Sequence, residues 1–207
     1  MCNYYEPADL DLIAEEFAAR AKGSTNWPSR FAPVFPRGTG PFIRDRDGAR
    51  EVVLGQWGLV PWVAKTANLR YSTNNARAEE LTAKASYKLP WKKGQRCIIP
   101  AASFDEPNWE SGRNVWHRFR RVDGRPWGLA GLWNTWVDKA TGELLETYTM
   151  LTLNADDHPI MRRMHKPDPK LPPDAQDKRS VVPLEAASYE RWLTGSMEDA
   201  QALFKLP

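Results

Sequence analysis

The sequence is poor in side chains that bind metals or carry redox chemistry. Among its 207 residues it has two cysteines, Cys2 and Cys97, and three histidines. Neither set has the spacing of a metal site, so we predict no metal and no cofactor. No apolar run reaches the roughly eighteen residues that cross a bilayer, which predicts no membrane partner. The first residues lack the basic and apolar segments of a secretory signal, so we expect a cytoplasmic protein with two free thiols.

The composition is otherwise that of a folded protein with many short elements. A length of 207 residues, 42% of them hydrophobic and 27% charged, predicts a single domain over residues 1–207. Ten tryptophans supply stacking surface, and seventeen prolines indicate a chain rich in loops. The net charge of +3 permits contact with nucleic acid but does not by itself indicate it.

Hydrophobic alternation predicts an α+β fold with a curved, mainly antiparallel, barrel-like sheet flanked by helices. The DRDG turn at residues 45–48 joins PFIR to REVVLGQWGLV and predicts a β-hairpin. Four further strands are predicted in RCIIPAASF, VWHRFRRV, WGLAGLW and LETYTMLTL.

Helices are predicted at both ends of the chain and in its middle. They cover DLDLIAEEFAARA, AEELTAKAS and SYERWLTG. A last helix follows Ser196 and Asp199, which have the spacing of a capping box. The run KPDPKLPPDAQ, residues 166–176, has four prolines and is predicted to be an exposed loop between two strands.

Cys2 directly follows the initiator methionine. If Met1 is removed, the α-amine and the thiol of Cys2 sit on adjacent carbons, and an amine of pKa about 8 is partly unprotonated near neutrality. Such an amine adds to an aldehyde to give an imine, and the thiol then closes on the imine carbon to form a thiazolidine. The alternative interpretation is that Cys2 is a small residue in a first strand. Cys97 is interpreted as a buried small hydrophobic residue.

Four short segments are informative because of the order in which they occur along the chain. They are MCNYY, LGQWGLVPW, STNNARAEEL and RCIIPAASFDEPNW, and LAGLWNTW and TMLTLNA follow them. Together they resemble the motifs of the SRAP family (SOS response-associated peptidases), which process abasic sites in DNA. The resemblance covers about residues 1–155. The family's fold agrees with the α+β, barrel-like prediction.

The resemblance implies a self-processing peptidase that crosslinks itself to abasic sites, with a lyase-like activity in DNA repair. Cys2 would bond to the opened sugar aldehyde after Met1 is removed, an autoproteolytic step in this interpretation. Asn75 would orient the terminal residue, and Glu106 would act as general acid and base. His165 would help to open the sugar ring. His158 is the alternative histidine, but it precedes a proline and resembles a turn residue.

The same resemblance implies a monomer whose partner is single-stranded DNA containing abasic sites, and which joins the nucleoid when it is bound to DNA. Arg77 is expected to pair with a phosphate, and Trp62 with Val63 to wedge against or stack on a base. Arg162 and Arg163 are expected to add attraction that is independent of sequence.

The chain departs from the common family pattern at several positions, among them Ala102 and Ser103, which replace Asp and Gly. Asn3 and Tyr4 stand where Gly and Arg are frequent, and Pro107 stands where Trp is usual. Because Tyr4 has no positive charge, a cation elsewhere in the chain is expected to bind the phosphate that an arginine at this position would bind.

Two other function classes fit parts of the sequence. An N-terminal-cysteine amidohydrolase of the glutaminase type would use the same exposed cysteine, but it needs an oxyanion hole near Cys2 and leaves the family motifs unexplained. A non-catalytic module that binds single-stranded DNA would use the tryptophans and basic residues without the thiol. Its binding would survive removal of the thiol and disappear on denaturation.

Overall fold

Strands dominate the part of the chain that the computed structural model describes, which is residues 2–21, 23 and 27–207. In chain order they are β1 (Tyr5–Pro7), β2 (Arg20–Ala21), β3 (Thr39–Arg46), β4 (Ala49–Trp57), β5 (Asn75–Arg77), β6 (Arg96–Asn108), β7 (Val115–Phe119), β8 (Trp127–Val137), β9 (Leu144–Asn154), β10 (Arg179–Val181) and β11 (Pro183–Leu184). The α-helices are α1 (Leu10–Phe17), α2 (Ala85–Lys92), α3 (Tyr189–Thr194) and α4 (Met197–Gln201). Short 3₁₀ turns cover Ala78–Glu80, Met161–Arg163 and Ala186–Ser188.

Five of the strands close into a barrel. The order β6-β3-β4-β9-β8 returns to β6 because β6 pairs with both β3 and β8. All of these pairings are antiparallel except β4 with β9, where Gln56 and Trp57 run parallel to Thr147 and Tyr148. The predicted α+β, barrel-like fold is confirmed, and the parallel pairing makes the barrel mixed. Closure leaves these five strands without an open edge.

The predicted hairpin is also confirmed, and its turn explains the residues at its tip. Register pairs Arg46 with Ala49, so Asp47 and Gly48 alone connect β3 to β4. Both have positive φ, 56° and 82°. A two-residue turn with positive φ at both positions favours Asp-Gly, since its twist matches that of the strands.

Short strands outside the barrel bring the ends of distant segments together. β1 pairs with β6, so Tyr5 lies opposite Phe104. β5 runs parallel to β9 and places Asn75 beside Met150. β10 pairs with the end of β9, where Arg179 lies opposite Asn154. These pairings gather the N-terminal segment, β5, β6 and the segment before β10 around one region.

Two of the predicted helices differ from the structure. The first ends at Phe17 rather than at residue 21, because Ala18 has a left-handed φ of 49° that ends the helix before β2. In the second, predicted over residues 78–86, the first three residues form a 3₁₀ turn and the α-helix begins only at Ala85. Ion pairing of Glu79 with Arg179 ties this segment to β10, and this tertiary contact outweighs the local helical preference.

The C-terminal helices and the proline-rich loop agree with the sequence. α3 and α4 lie where predicted, and Ser196 and Asp199 form a reciprocal capping box. Residues 166–176 form an exposed loop between β9 and β10 that has neither helix nor strand. No helix in the described part of the chain is long and apolar enough to span a membrane.

The apolar core reaches the first residues of the chain. Tyr5 is fully buried, and its hydroxyl lies 2.5 Å from the buried hydroxyl of Tyr148. Tyr5 also packs edge-to-face on Trp57 at 5.2 Å between ring centres. Cys97 is fully buried, as predicted. The segment that carries Cys2 is therefore held by the core rather than frayed.

Candidate active site

Cys2 is anchored by its main chain at the region where β1, β5 and β6 meet. Its carbonyl oxygen accepts a hydrogen bond from Asn75 Nδ2 at 2.6 Å and one from Asn74 Nδ2 at 3.3 Å. Its side chain is fully buried, and Sγ lies 3.2 Å from the carbonyl oxygen of Tyr4. These contacts fix the backbone of residue 2. Met1 lies outside the described residues.

Asn74 is a site residue that the sequence reasoning missed. Besides the Cys2 carbonyl, its Nδ2 contacts Asn3 Oδ1 at 3.1 Å, and its Oδ1 accepts from the Ser72 hydroxyl. Trp57 Nε1 donates to the Asn74 carbonyl at 2.8 Å. Asn74 is buried. The side-chain amides of Asn74 and Asn75 thus both hydrogen-bond to the Cys2 carbonyl. The only signal in the sequence is the repeated asparagine of STNNAR.

Asn75 has a second polar atom that a bound group could use. Its Oδ1 is buried and has no hydrogen-bond partner among the described residues. Buried acceptors are normally satisfied, so such an atom is suited to take an N–H or O–H donor from a ligand or from a processed terminus. The predicted site residue thus holds Cys2 with one end of its amide and keeps the other end for a further donor.

Glu106 brings a titratable carboxyl to the same region. It lies near the end of β6 and is fully buried. Burial raises its pKa to about 7. Burial, followed by the charge of Glu106, raises the pKa of the Cys2 thiol well above its ordinary value. The thiol is therefore protonated at neutral pH, and Glu106 is a base and an acid of suitable strength.

His165 contacts Glu106, and its backbone is held in an unusual conformation. Its φ is +63°, its N–H donates to the Pro107 carbonyl at 2.6 Å, and its carbonyl accepts from Lys178 Nζ at 2.7 Å. Its ring Nε2 lies 3.3 Å from Glu106 Oε2 and 3.2 Å from the Arg179 carbonyl. A left-handed histidine is uncommon and marks a position that the surroundings impose.

The ring of His165 is neutral in these surroundings. Burial lowers its pKa to about 3. The Arg179 carbonyl only accepts, so the tautomer with a proton on Nε2 fits the contacts and makes Nδ1 the acceptor of the ring. His158, the alternative histidine, instead contacts the Pro207 carbonyl at 2.8 Å and accepts backbone N–H bonds in a turn.

The whole chain matches a family model. SRAP, the SOS response associated peptidase family, matches over residues 1–207. This chain belongs to the SRAP family.

Curated relatives agree with the family. The abasic site processing protein HMCES of Gallus gallus is 29% identical over 160 residues, covering 62% of this chain and 48% of its own length. The abasic site processing protein YobE of Bacillus subtilis is 33% identical over 129 residues, covering 62% and 57%. The matched region thus spans about half the length of these relatives.

Solved structures match over the full chain. A crystal structure of a Bordetella bronchiseptica protein superposes with a TM-score of 0.84 at 37% identity, covering 100% of this chain and 94% of that one. One from Bacteroides thetaiotaomicron has a TM-score of 0.82 at 23% identity, covering 99% and 87%, and supports the fold alone.

The predicted DNA-binding residues of this SRAP chain differ in how available they are. Trp62 and Val63 follow β4 and are 59% and 55% exposed, as a wedge requires. Arg77 is partly exposed but ion-pairs with Asp177. Arg163 binds Glu110 with two nitrogens, whereas Arg162 is exposed and has no ion pair among the described residues. A DNA phosphate would have to displace a carboxylate from Arg77 or Arg163, whereas it could bind Arg162 directly.

An aromatic cleft beside Cys2 was also missed by the sequence reasoning. A cavity of about 680 Å³ is lined by Asn3, Tyr4, Phe35, Pro36, Asp105, Trp116 and Arg118. Phe35 and Trp116 are more than half exposed. The Arg118 guanidinium lies 5.8 Å from the Tyr4 ring centre and pairs with Asp105 at 3.0 Å. Arg118 therefore places a positive charge beside the Tyr4 ring. In the β6–β7 register, Trp116 lies opposite Pro107. The signal was the set of departures from the SRAP motifs at positions 3, 4 and 107.

Proposed function

We propose that this SRAP protein, once Met1 is removed, captures the aldehyde of an abasic site in single-stranded DNA as a thiazolidine on Cys2. The observation that supports it best is the joint anchoring of Cys2 by Asn75 beside a buried Glu106 that contacts His165. The relatives named abasic site processing proteins support the choice of DNA lesion.

The covalent step balances without any external oxidant or reductant. The Cys2 amine adds to C1′ of the open sugar, and loss of one water gives an imine. Sγ then adds to the same carbon, and the thiol proton passes to the imine nitrogen. The product is a five-membered ring with C–N and C–S bonds to one carbon, and one water is released overall. The two bonds explain why a terminal cysteine outperforms a lysine, which stops at the imine.

Glu106 is suited to move the protons of these steps. Because burial places its pKa at about 7, both its forms are populated near neutrality. The carboxylate removes a proton from the attacking amine or thiol, whose own pKa is raised by burial. The carboxylic acid returns a proton to the hydroxyl that leaves as water.

His165 is proposed to help open the sugar ring, and Asn75 to orient the Cys2 terminus. Ring opening takes the proton from the hydroxyl on C1′ and delivers one to the ring oxygen. In this proposal the neutral His165 accepts one proton at Nδ1 while Glu106 donates the other, and their contact couples the two transfers. Asn75 Nδ2 holds the Cys2 carbonyl, and its Oδ1 accepts from the Cys2 amine or a sugar hydroxyl.

Removal of Met1 is the prerequisite in this scheme, and we propose that the protein performs it. Hydrolysis of the Met1–Cys2 bond consumes one water and frees the amine, with Glu106, whose charge acts on Cys2, as the base in this scheme. Intact mass measurement of the purified protein checks this step. Wild type is expected to lack one methionine, and Glu106→Ala, expressed in cells without methionine aminopeptidase activity, is expected to retain it.

The test of the proposed function is a crosslinking assay. Wild type is mixed with a single-stranded oligonucleotide that holds one abasic site, and the mixture is denatured and analysed by gel and mass. The expected adduct survives without borohydride and has the mass of processed protein plus oligonucleotide less one water. Cys2→Ser is expected to form none that survives. An equal yield from Cys2→Ser, or no adduct from wild type, would refute the proposal.

The same samples separate the two alternatives. Release of ammonia from glutamine by wild type, with no adduct, would favour the amidohydrolase. Salt-sensitive binding that Cys2→Ala leaves intact and denaturation abolishes would favour the non-catalytic module.

A further inference from the structure

A cavity opens beside His165, on the side that the proline-rich loop encloses. We call it the loop pocket, and its walls include Trp109, Arg162, His165, Leu171, Gln176 and Lys178. Its volume is about 580 Å³, within the range of roughly 300–1,000 Å³ that holds small organic ligands. A group that fills it touches the residue that contacts Glu106. The loop pocket therefore borders the candidate active site at His165.

The loop that forms its outer wall is held in shape despite its exposure. Gln176 Oε1 accepts from the Asp168 N–H at 2.7 Å, and Gln176 Nε2 donates to the carbonyls of Leu171 and Pro172 at 3.1 and 2.9 Å. The four prolines fix the backbone further. One side chain thus closes the loop on itself. A preformed wall costs little ordering entropy when a ligand binds.

The charges around the loop pocket leave a cation without a carboxylate. Arg163 is neutralised by Glu110, with nitrogen–oxygen distances of 2.8 to 3.0 Å. Arg162 is exposed and has no such partner among the described residues. The Lys166 ammonium lies 5.2 Å from the ring centre of Trp109. The wall also carries the carboxylate of Asp168, so its cations outnumber its carboxylates by one, counting Arg162, Arg163 and Lys178 against Glu110 and Asp168. Apolar and aromatic surface beside the exposed Arg162 suits a base and its phosphate.

We propose that the loop pocket binds one nucleotide that flanks the abasic residue on the same strand, with its base against Trp109 and Leu171 and its phosphate at Arg162. This inference rests on the proposed function and extends it to a neighbouring nucleotide. A flanking nucleotide is favoured over a free one because the pocket begins at His165, where the lesion's sugar would lie. The proline-rich loop then determines whether the 5′ side or the 3′ side of the lesion must carry a nucleotide.

The test compares three abasic oligonucleotides by single-turnover crosslinking with protein in excess at subsaturating concentration. In one the abasic residue is internal, in one it is the 3′-terminal residue, and in one it is the 5′-terminal residue. Wild type is expected to react about tenfold more slowly with one terminal oligonucleotide, because it lacks the nucleotide that fills the loop pocket. The other terminal oligonucleotide is expected to react like the internal one.

Two exposed substitutions probe the pocket, and a third serves as control. Arg162→Ala removes the phosphate contact, and Leu171→Asp places a negative charge against the base. Both are expected to slow the internal oligonucleotide severalfold and to leave the slow terminal oligonucleotide unchanged. Arg162→Ala is also expected to reduce the slope of log rate against log salt by about 0.7. Lys139→Ala, an equal charge change in the β8–β9 turn, is expected to leave all rates and the slope unchanged.

The outcomes distinguish this inference from the proposed function. Equal wild-type rates on all three oligonucleotides, or variants that slow all three alike, would overturn the loop pocket while leaving covalent capture intact. No crosslink by wild type on any oligonucleotide would refute the proposed function and this inference with it. Rescue of the slow terminal oligonucleotide by a free nucleoside monophosphate would support the inference, because the free nucleotide would fill the site that the missing flanking nucleotide leaves empty.

Discussion

The Cys2 side of the site and the His165 side differ in what holds them. Cys2 is fixed by two neutral amides, from the half-buried Asn75 in β5 and from the buried Asn74 before it. His165 lies in a connection outside the strands, and the exposed ion pair of Arg163 with Glu110 lines the same loop pocket. Salt screens exposed charges but hardly affects buried neutral contacts. The chemistry and the path of the DNA should therefore respond to different perturbations, and salt should separate them.

The largest expected effect is on the Cys2 side. Glu106→Gln removes the acid and base, and the crosslinking rate is expected to fall about 10²-fold or more. Because the pKa of Glu106 is about 7, the wild-type rate should change around pH 7 as the carboxyl ionises, and the variant's should lose that feature. The rate is measured from pH 5.5 to 8.5 at two salt concentrations. Glu143→Gln, an equal charge change in the β8–β9 turn, is the control; a similar loss in both would contradict the role.

The same substitution tests whether the site is built at a cost in stability. The pKa of Glu106 rises from 4.5 to about 7 on folding, so the folded protein binds the extra proton between these values. Stability present below pH 4.5 is thus lost as pH rises through 7. Between pH 5 and pH 8, wild type should lose about 2 kcal/mol of unfolding free energy relative to Glu106→Gln. Denaturant titrations at both pH values measure this, and parallel changes would disprove the shift.

How much of this region the sequence predicts depends on where each contact originates. Cys2, Asn75 and Glu106 fall in motifs whose order resembles that of the SRAP family, so the sequence predicts that these three residues lie close together. Asn74 looks like any loop amide until β5 is paired with β9 and its side chain is seen on Cys2. The alternation of hydrophobic and polar residues predicts the strands of the barrel, but it does not specify which strands pair. The parallel pairing of β4 with β9 therefore cannot be predicted from the sequence pattern. Residues 78–86 show the same limit, since their helical pattern yields to contacts made about 100 residues away.

A smaller effect is expected from removing the hydrogen bond by which Lys178 holds the His165 backbone. Lys178 is buried, and its ammonium donates to the carbonyl of the left-handed His165. Lys178→Met keeps the length of the side chain but removes this restraint, so the crosslinking rate should fall about tenfold, a cost of about 1 to 2 kcal/mol for an uncommon backbone conformation. The dependence on pH near 7 should persist, because Glu106 is unchanged. Lys139→Met is the control.

The Lys178 result separates positioning from nucleotide binding. Lys178 also lines the loop pocket, so the rate is measured on both the internal oligonucleotide and the slow terminal one. Equal losses on the two would indicate that Lys178 acts through His165. A loss confined to the internal oligonucleotide would contradict this positioning role.

The smallest effect, and the one that tests the comparison most directly, is a gain. Glu110→Gln breaks an exposed ion pair and leaves Arg163 free for a phosphate. Exposed pairs contribute little to folding, so no change in thermal stability is expected. The crosslinking rate should rise about twofold at low salt and return to that of wild type at high salt, where screening removes the added attraction. Glu143→Gln should show no such gain. A gain that persists at high salt would mean that freeing Arg163 acts on the chemistry rather than through attraction of the DNA, and the division between exposed charges and buried contacts would fail.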